Sequence, residues 1–455
     1  MESADTYNLI ITRRNGSEIL FLPTGSGLEL PRVDIEPQRR ISEQLTNEVK
    51  GKWAIDAYCL SFFTFNQKGN NRCAVMESTR DGDEPSTGGT CWIPRSSGAG
   101  EEVHECRFIS RVFETFDAYV KSENIDPFAR PGWLRELFLW ISEQIKPAGL
   151  HLTGNFRQLN AGPSFSLLRL ETNSGAVWFK ATGEPNSHEL PVTVAIAKLL
   201  PRFVPPVLGV NRKWNGWLAL EAAGTSLDEI KDHVAWERVA KTLAELQIAS
   251  IGTEAELLKA RLKDLRIPTL ATRIGPFIAR MSELMAAQPK PTPPPLAEME
   301  LRELGVRLKE ACVLLENLHL PDSLGHFDFS PGNILVSGTG CTFLDWAEAS
   351  ITNPLITFEY LCEHMRQRAF PGEGNCERLT KAYLQPWIAR GLGDDFKQAL
   401  SLSPFLAVFA CAVANDAWRL VNPQSPAQAG YLRSLTRRMY RKSIEAVTRS
   451  SLCLN

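Results

Sequence analysis

Apolar and β-branched residues cluster near the start of the chain at Tyr7-Asn8-Leu9-Ile10-Ile11-Thr12 and again at Ile19-Leu20-Phe21-Leu22, with Asn15-Gly16 between them. Two such runs around a turn dipeptide predict paired strands. Glu36 to Val49 is polar with helical spacing, and Ile55 to Phe65 returns to aromatic and apolar residues. Arg80 to Gly89 is rich in Gly, Asp, Ser and Thr, which predicts a loop. This strand–loop–helix–strand order predicts a small α/β domain over residues 1–102.

From Val103 to Lys146 the spacing becomes helical. Phe113, Phe116, Tyr119 and Val120 share one face, as do Leu134, Leu137, Ile141 and Ile145. Apolar stripes at this spacing pack into cores more often than they bind ligands, so residues 103–148 read as a helical connector. Residues 149–224 are strand-rich, with candidates at Asn155–Asn160, Ser166–Glu171, Ala176–Lys180 and Trp217–Glu221. Predicted helices include Pro191–Leu200, Ala235–Ile248, Glu254–Leu265, Thr272–Ala287 and Leu296–Leu318. Pro289-Lys290-Pro291-Thr292-Pro293-Pro294-Pro295 interrupts the last two, because proline removes backbone donors and clashes with the preceding turn. The pattern predicts an α+β class: a β-rich lobe (149–224) and a larger helical lobe (225–455).

Composition narrows the function without naming it. The 455 residues carry a formal net charge of −2, so no overall basic field points to nucleic acid. The ten cysteines include no Cys-x-x-Cys pair and no metal-ligand spacing. They read as reduced thiols in a cytoplasmic protein. No apolar run approaches the ~20 residues of a membrane helix. The first residues have no apolar stretch of signal-peptide type.

Candidate chemistry concentrates in Gly325-His326-Phe327-Asp328-Phe329-Ser330-Pro331-Gly332-Asn333-Ile334-Leu335-Val336, followed by Cys341-Thr342-Phe343-Leu344-Asp345-Trp346. Phosphoryl transfer to an alcohol relies on positioning and charge neutralisation. It needs one carboxylate for the hydroxyl proton, and hard oxygen donors for magnesium. Asp328 and Asn333 precede the strand Ile334–Val336, and Asp345 follows the strand Thr342–Leu344. A hairpin of these strands brings all three to one end, with Pro331-Gly332 setting the turn. The structural alternative makes Asp328 a turn cap, His326 a core histidine and Asp345 a helix cap.

His-x-Asp-x-x-x-x-Asn followed by Leu-Asp-Trp resembles the catalytic and metal-binding loops of the aminoglycoside phosphotransferase and choline kinase group, which has a protein-kinase-like fold. The usual Gly-Asp-Leu-His-Pro-Gly-Asn appears here as Phe-Asp-Phe-Ser-Pro-Gly-Asn, with Ser330 in place of histidine. The resemblance extends over roughly Leu150 to Arg441 and includes Pro354-Leu355. It implies Asp328 as catalytic base, Asn333 and Asp345 as magnesium ligands, and His326 as a structural histidine. It also implies ATP and Mg2+ as cofactors and a small-molecule hydroxyl as acceptor.

The same fold calls for a strand lysine on the ATP phosphates, held by a glutamate. Lys180 closes the apolar strand Val177-Trp178-Phe179. Glu189 is the preferred partner and Glu184 the alternative. The loop Leu159–Phe165 would cover the phosphates, with Ser164 as a donor, although a plain turn explains it equally well. Leu220-Glu221-Ala222-Ala223-Gly224 would be the connector whose backbone meets the adenine.

The expected activity is an ATP-dependent O-phosphotransferase. A nucleotide-binding pseudokinase acting as an interaction module is the alternative. Protein-kinase activity ranks third, because a glycine-rich loop and an Ala-Pro-Glu segment are missing. Residues 8–51 faintly resemble Nudix hydrolases, but only Glu48 remains of that signature, so an accessory domain is expected. The acceptor pocket is expected around Glu359, Glu363, Asn415, Asp416 and Trp418. Arg433, Arg437, Arg438, Arg441 and Lys442 read as a solvated helix face.

Overall fold

A computed structural model describes residues 4–25, 27–36, 39–64, 72–79, 89–95, 105–123, 125, 127–162, 165–338, 340–368 and 374–452. The chain forms two units, residues 1–190 with 206–221 and residues 191–205 with 222–455.

The first unit holds two sheets. In one, Asp5–Arg13 lies between Glu18–Thr24, antiparallel, and Arg72–Ser78, parallel, while Ala57–Thr64 extends the far side. Helix Ile41–Trp53 buries Leu45 and Val49. It starts later than its sequence pattern suggests. Gln44 donates to the Glu36 carbonyl and accepts from its N–H, while Arg32–Ile35 is held as a strand against Asp5–Asn8.

The second sheet runs in the order Val207–Asn211, Gly216–Leu220, Ala176–Thr182, Phe165–Thr172, Leu152–Gly162, all antiparallel. Helices Glu105–Lys121 and Trp133–Ile145 are part of the core itself. Phe116, Trp133 and Ile141 share one buried cluster with Ile10 and Val75 of the first sheet and Val177 and Phe179 of the second. Trp133 is central: its ring lies 6.3 Å from Tyr58, 6.1 Å from Phe179 and 6.2 Å from Trp214.

The second unit is mainly helical. His233–Ser250, Ile267–Ala286, Glu298–Asn317, Pro354–Gln367, Asn375–Ile388, Ser403–Val413 and Pro426–Leu452 enclose one apolar core. Each of the first three lies within a few residues of its predicted span, and the proline-rich stretch is the connection between the second and third. One expectation fails here. The helix predicted over Glu254–Leu265 stops at Lys259. Arg261 takes φ 76°, and Lys263–Leu265 becomes a strand parallel to Ala349–Thr352. Ser323–His326 pairs with the other edge of Ala349–Thr352, antiparallel.

Buried polar groups fix these short strands. Ser250 Oγ accepts from the Leu324 N–H at 2.8 Å, and Gln247 donates to the Pro354 carbonyl at 2.9 Å while accepting from Tyr383 Oη at 2.8 Å. Gly325 is required by space, since a Cβ there would lie 2.4 Å from Thr352 Cγ2. Among the described residues, no single helix is long and apolar enough to cross a membrane, and the eight cysteines described are free thiols.

Candidate active site

The motif forms a compact loop between two small sheets of the helical unit. Strand Ser323–His326 leads into Asp328, Pro331–Asn333 makes a single 3-10 turn, and Ile334–Val336 pairs antiparallel with Cys341–Phe343. The tight turn follows from Pro331, whose fixed φ suits the first position of a turn. Beside this hairpin, Gly224 at φ 136° passes so close to Val336 that a Cβ would sit 2.8 Å from its carbonyl oxygen. Thr225–Ser226 then pairs with the hairpin.

His326 joins the two halves of the loop. Its backbone N–H donates to Thr357 Oγ1 at 3.0 Å, and its Nδ1 accepts from the Asp328 N–H at 3.2 Å. Nδ1 is therefore the acceptor nitrogen, and Nε2 carries the proton that meets the Leu344 carbonyl at 3.0 Å. Burial lowers the His326 pKa, against upward pulls from the Leu344 bond and the charges of Asp328 and Asp345. A neutral ring bonded to the residue before Asp345 and to Asp328 itself sets the spacing between the two carboxylates. The Leu344 N–H also donates to the Asn333 carbonyl at 2.9 Å.

Asn333 donates through Nδ2 to the Asp328 carbonyl at 3.0 Å and to Asp328 Oδ2 at 3.1 Å. With its amide hydrogens committed to Asp328, the Asn333 side chain presents its oxygen as the donor atom for a cation. Asp345 is exposed and adopts φ 60°, ψ 72°. This left-handed conformation costs a residue with a Cβ on the order of 1 kcal/mol, and aspartate tolerates it better than most. The hairpin thus brings together the three residues expected from the sequence.

Lys180 and Glu189 form their own site in the β-rich unit. Lys180 Nζ lies 2.6 Å from Glu189 Oε1, with side-chain exposures of 14% and 1%. The ammonium also lies 5.3 Å from the Phe165 ring and 5.7 Å from the Trp217 ring. Glu184 instead accepts from Ser187 Oγ. Asn215, which sequence reasoning missed, places this pair. Its Nδ2 donates to the Thr182 carbonyl at 2.7 Å and the Ser187 carbonyl at 3.0 Å, holding the turn that delivers Glu189. Ser164 lies outside the described residues. The Glu221 side chain is bound by Arg169 at 2.6 Å and by Trp178 Nε1 at 3.0 Å, and Arg169 lowers its pKa.

The late residues expected around the acceptor make contacts within the fold. Glu363 contacts Arg366 at 2.9 Å, Arg438 at 2.7 Å and Lys442 at 3.2 Å, and Arg366 also reaches Glu359 at 2.9 Å. Trp418 is buried against Phe277, Asn415 caps the Ala417 N–H, and Asp416 pairs with Arg419. These side chains are engaged in internal contacts.

The solvated basic face is corrected in part, since Arg441 is exposed but Arg433 and Arg437 are engaged in the fold. Arg433 is buried and donates to the Leu284 carbonyl at 3.1 Å, and Arg437 donates to the Pro294 carbonyl at 2.9 Å. Helix Pro426–Leu452 packs beside helices Ile267–Ala286 and Glu298–Asn317, whose ends and connection offer the carbonyls these guanidiniums bind. Their positive charge made the residues look free, but their long stems reach backbone carbonyls, a buried one for Arg433 and an exposed one for Arg437.

His364 was also missed. Burial lowers its pKa while the nearby Asp328 carboxylate raises it. The available signal was its i,i+4 relation to Tyr360, whose ring meets Phe327 at 5.8 Å.

The first unit carries an antiparallel sheet with an ion-paired strand lysine and the second, mainly helical unit carries the Asp–Asn–Asp hairpin, the α+β organisation of the protein-kinase-like class expected from the sequence. The sequence model of the phosphotransferase enzyme family, APH, matches residues 194–390. That stretch contains Asp328, Asn333 and Asp345, the residues that carry the resemblance read from the motif. The match starts just after Glu189 and ends before the late helices.

Several solved structures are similar. An ethanolamine kinase of Plasmodium vivax is 15% identical, with 76% of this chain and 97% of that chain covered at a TM-score of 0.42. A choline/ethanolamine kinase family protein of Mesorhizobium loti is 19% identical, with coverages of 69% and 98% and a TM-score of 0.41. An aminoglycoside 2′-phosphotransferase-IIIa in complex with GDP is 15% identical, with coverages of 68% and 99% and a TM-score of 0.41. No curated protein matches the chain.

Proposed function

We propose that the protein is an ATP-dependent phosphotransferase that moves the γ-phosphate to a hydroxyl of a small molecule. The observation that carries this reading is the double bond-set of Asn333 on Asp328. It fixes a carboxylate for a proton and leaves an amide oxygen for a cation within one tight turn. Asp328 is the base. It takes the proton of the acceptor hydroxyl as that oxygen attacks the γ-phosphorus, and the bond to the β–γ bridging oxygen breaks to leave ADP. Because Asn333 engages Oδ2 of Asp328, Oδ1 is left to meet the hydroxyl.

The donor set suits magnesium. The Asn333 amide oxygen and the Asp345 carboxylate are hard ligands, and no group of three or more His, Cys, Asp or Glu forms a closed cage among the described residues. Few protein ligands supplemented by phosphate oxygens is the usual magnesium arrangement. The bound ion would neutralise charge on the transferring phosphate. Lys180, kept extended by Glu189, binds the nucleotide phosphates.

We read the N-terminal sheet and its helix Ile41–Trp53 as accessory to the phosphotransferase. Glu48 is paired to Lys52 and Glu43 to Arg157.

The test is acceptor-dependent release of ADP from ATP across aminoglycosides, amines, sugars and nucleosides. A stimulated class supports the reading. ATP binding without stimulation by any class favours the pseudokinase alternative.

A further inference from the structure

Besides the shared core around Trp133, the N-terminal sheet meets the β-rich lobe along the strand Leu152–Gly162. Gln158 on that strand is buried. Its Oε1 accepts from the Cys59 N–H at 2.7 Å, and its Nε2 donates to the Cys59 carbonyl at 2.8 Å. The side chain therefore imitates a neighbouring strand, satisfying both backbone groups of a residue on Ala57–Thr64. That strand is irregular at Cys59, where its pairing with Arg72–Ser78 shifts register between Cys59 and Ser61. On the other side, pairing of Leu152–Gly162 with Phe165–Thr172 shifts between Gln158 and Asn160. The two irregularities meet at this amide.

Two further contacts lie on the same strand. Arg157 is bonded to Glu43 of helix Ile41–Trp53. Ala161 belongs to the same buried cluster as Leu9, Leu45 and Val49. Ala161 pairs with Ser166, and Gly162 pairs with Phe165, whose ring faces the Lys180 ammonium at 5.3 Å. A continuous set of contacts therefore runs from the N-terminal domain through Gln158 and Ala161 to the ring beside Lys180.

We propose that the N-terminal domain is a brace for the nucleotide-binding hairpin, and that Gln158 is its positioning residue, holding Phe165 against Lys180. The nucleotide part of this inference rests on the phosphotransferase reading. The brace itself does not. A buried amide that satisfies both polar groups of one backbone residue is costly to remove, because truncation leaves a donor and an acceptor unpaired.

The experiment compares full-length wild type with Gln158→Leu, Gln158→Glu and the control Leu20→Ala, which opens the buried cluster that Ala161 shares but does not touch the Gln158–Cys59 bonds. Hydrogen exchange without nucleotide reads the brace. Gln158→Leu is expected to speed exchange at Ala161, Ser166 and Leu167 at least tenfold, Gln158→Glu less so because it keeps one acceptor, and Leu20→Ala to leave them within threefold while lowering Tm.

Binding and kinetics with Mg-ATP read the consequence. The expected result for Gln158→Leu is a roughly tenfold rise in Kd and KM for ATP with kcat within twofold. Unchanged exchange at the hairpin in Gln158→Leu, or equal acceleration by Leu20→Ala, overturns the brace. Faster exchange with unchanged ATP affinity overturns the nucleotide role of Gln158. Failure of wild type to bind ATP overturns the phosphotransferase reading, while the exchange data still decide the brace.

Discussion

The backbone N–H of Asp328 donates to Nδ1 of His326 across 3.2 Å. The other ring nitrogen is engaged by Leu344, so one neutral imidazole links the proposed base to the residue preceding Asp345. His326→Ala should remove both bonds and open a cavity, lowering stability by about 3 kcal/mol and kcat by at least tenfold. Denaturant unfolding and steady-state rates check this. A variant with unchanged rate would show that the ring is only core filling.

The same ring predicts a pH dependence. Burial lowers the folded pKa of His326 below its ordinary 6.5, so the neutral form is favoured in the folded state. Its contribution to stability is present above pH 6.5 and declines as pH falls below it. Between pH 7 and 5, wild type should lose more stability than His326→Gln.

Asn333 and Asp345 should set the magnesium requirement. Asn333→Ala is expected to raise the magnesium concentration for half-maximal rate about tenfold, and Asp345→Asn to lower the rate about a hundredfold at any magnesium concentration. A magnesium titration of activity reads both. Equal midpoints in wild type and Asn333→Ala would remove Asn333 from the ligand set.

The Lys180–Glu189 pair allows stability and function to be separated. Glu189→Ala removes the carboxylate that lies 2.6 Å from a largely buried ammonium, and Lys180→Met removes the ammonium from a buried carboxylate. Each should cost about 3 kcal/mol. The double variant Lys180→Met/Glu189→Leu should regain most of that stability without regaining ATP affinity. Recovery of ATP binding in the double variant would contradict a phosphate role for Lys180.

The hairpin chemistry was legible because local sequence determines it: Asp328, Asn333 and Asp345 flank two short strands joined by a tight turn. The partner of Lys180 was legible for the same reason, being close in sequence. Long-range placement was not. Nothing around Gln158 marks it as the residue that meets Cys59, and the electrostatic influence of Asp328 on His364 depends on how helix Pro354–Gln367 docks. Charge also misled. Glu359, Glu363, Arg433 and Arg437 read as surface or pocket groups, whereas the fold pairs the carboxylates with three cations and sends the guanidiniums to backbone carbonyls.

Glu363 supplies an acid-stability prediction. Burial pushes its pKa up, but Lys442, Arg438 and Arg366 outweigh that effect and bring it from 4.5 to about 2. A folded pKa below the unfolded one gives stability that is full above about pH 4.5 and lost as pH falls toward 2. After allowance for partial exposure this is roughly 2 kcal/mol. Chemical denaturation of wild type and Glu363→Gln should therefore differ at pH 6, with the difference shrinking steadily toward pH 3.

The most direct measurement is transfer of radiolabelled γ-phosphate from ATP to the stimulating acceptor by wild type and Asp328→Ala, with ATP affinity measured in parallel. The expected result is a loss of about a thousandfold in transfer for Asp328→Ala, with ATP affinity within threefold of wild type. Transfer at the wild-type rate by Asp328→Ala would contradict the assignment of Asp328 as the base.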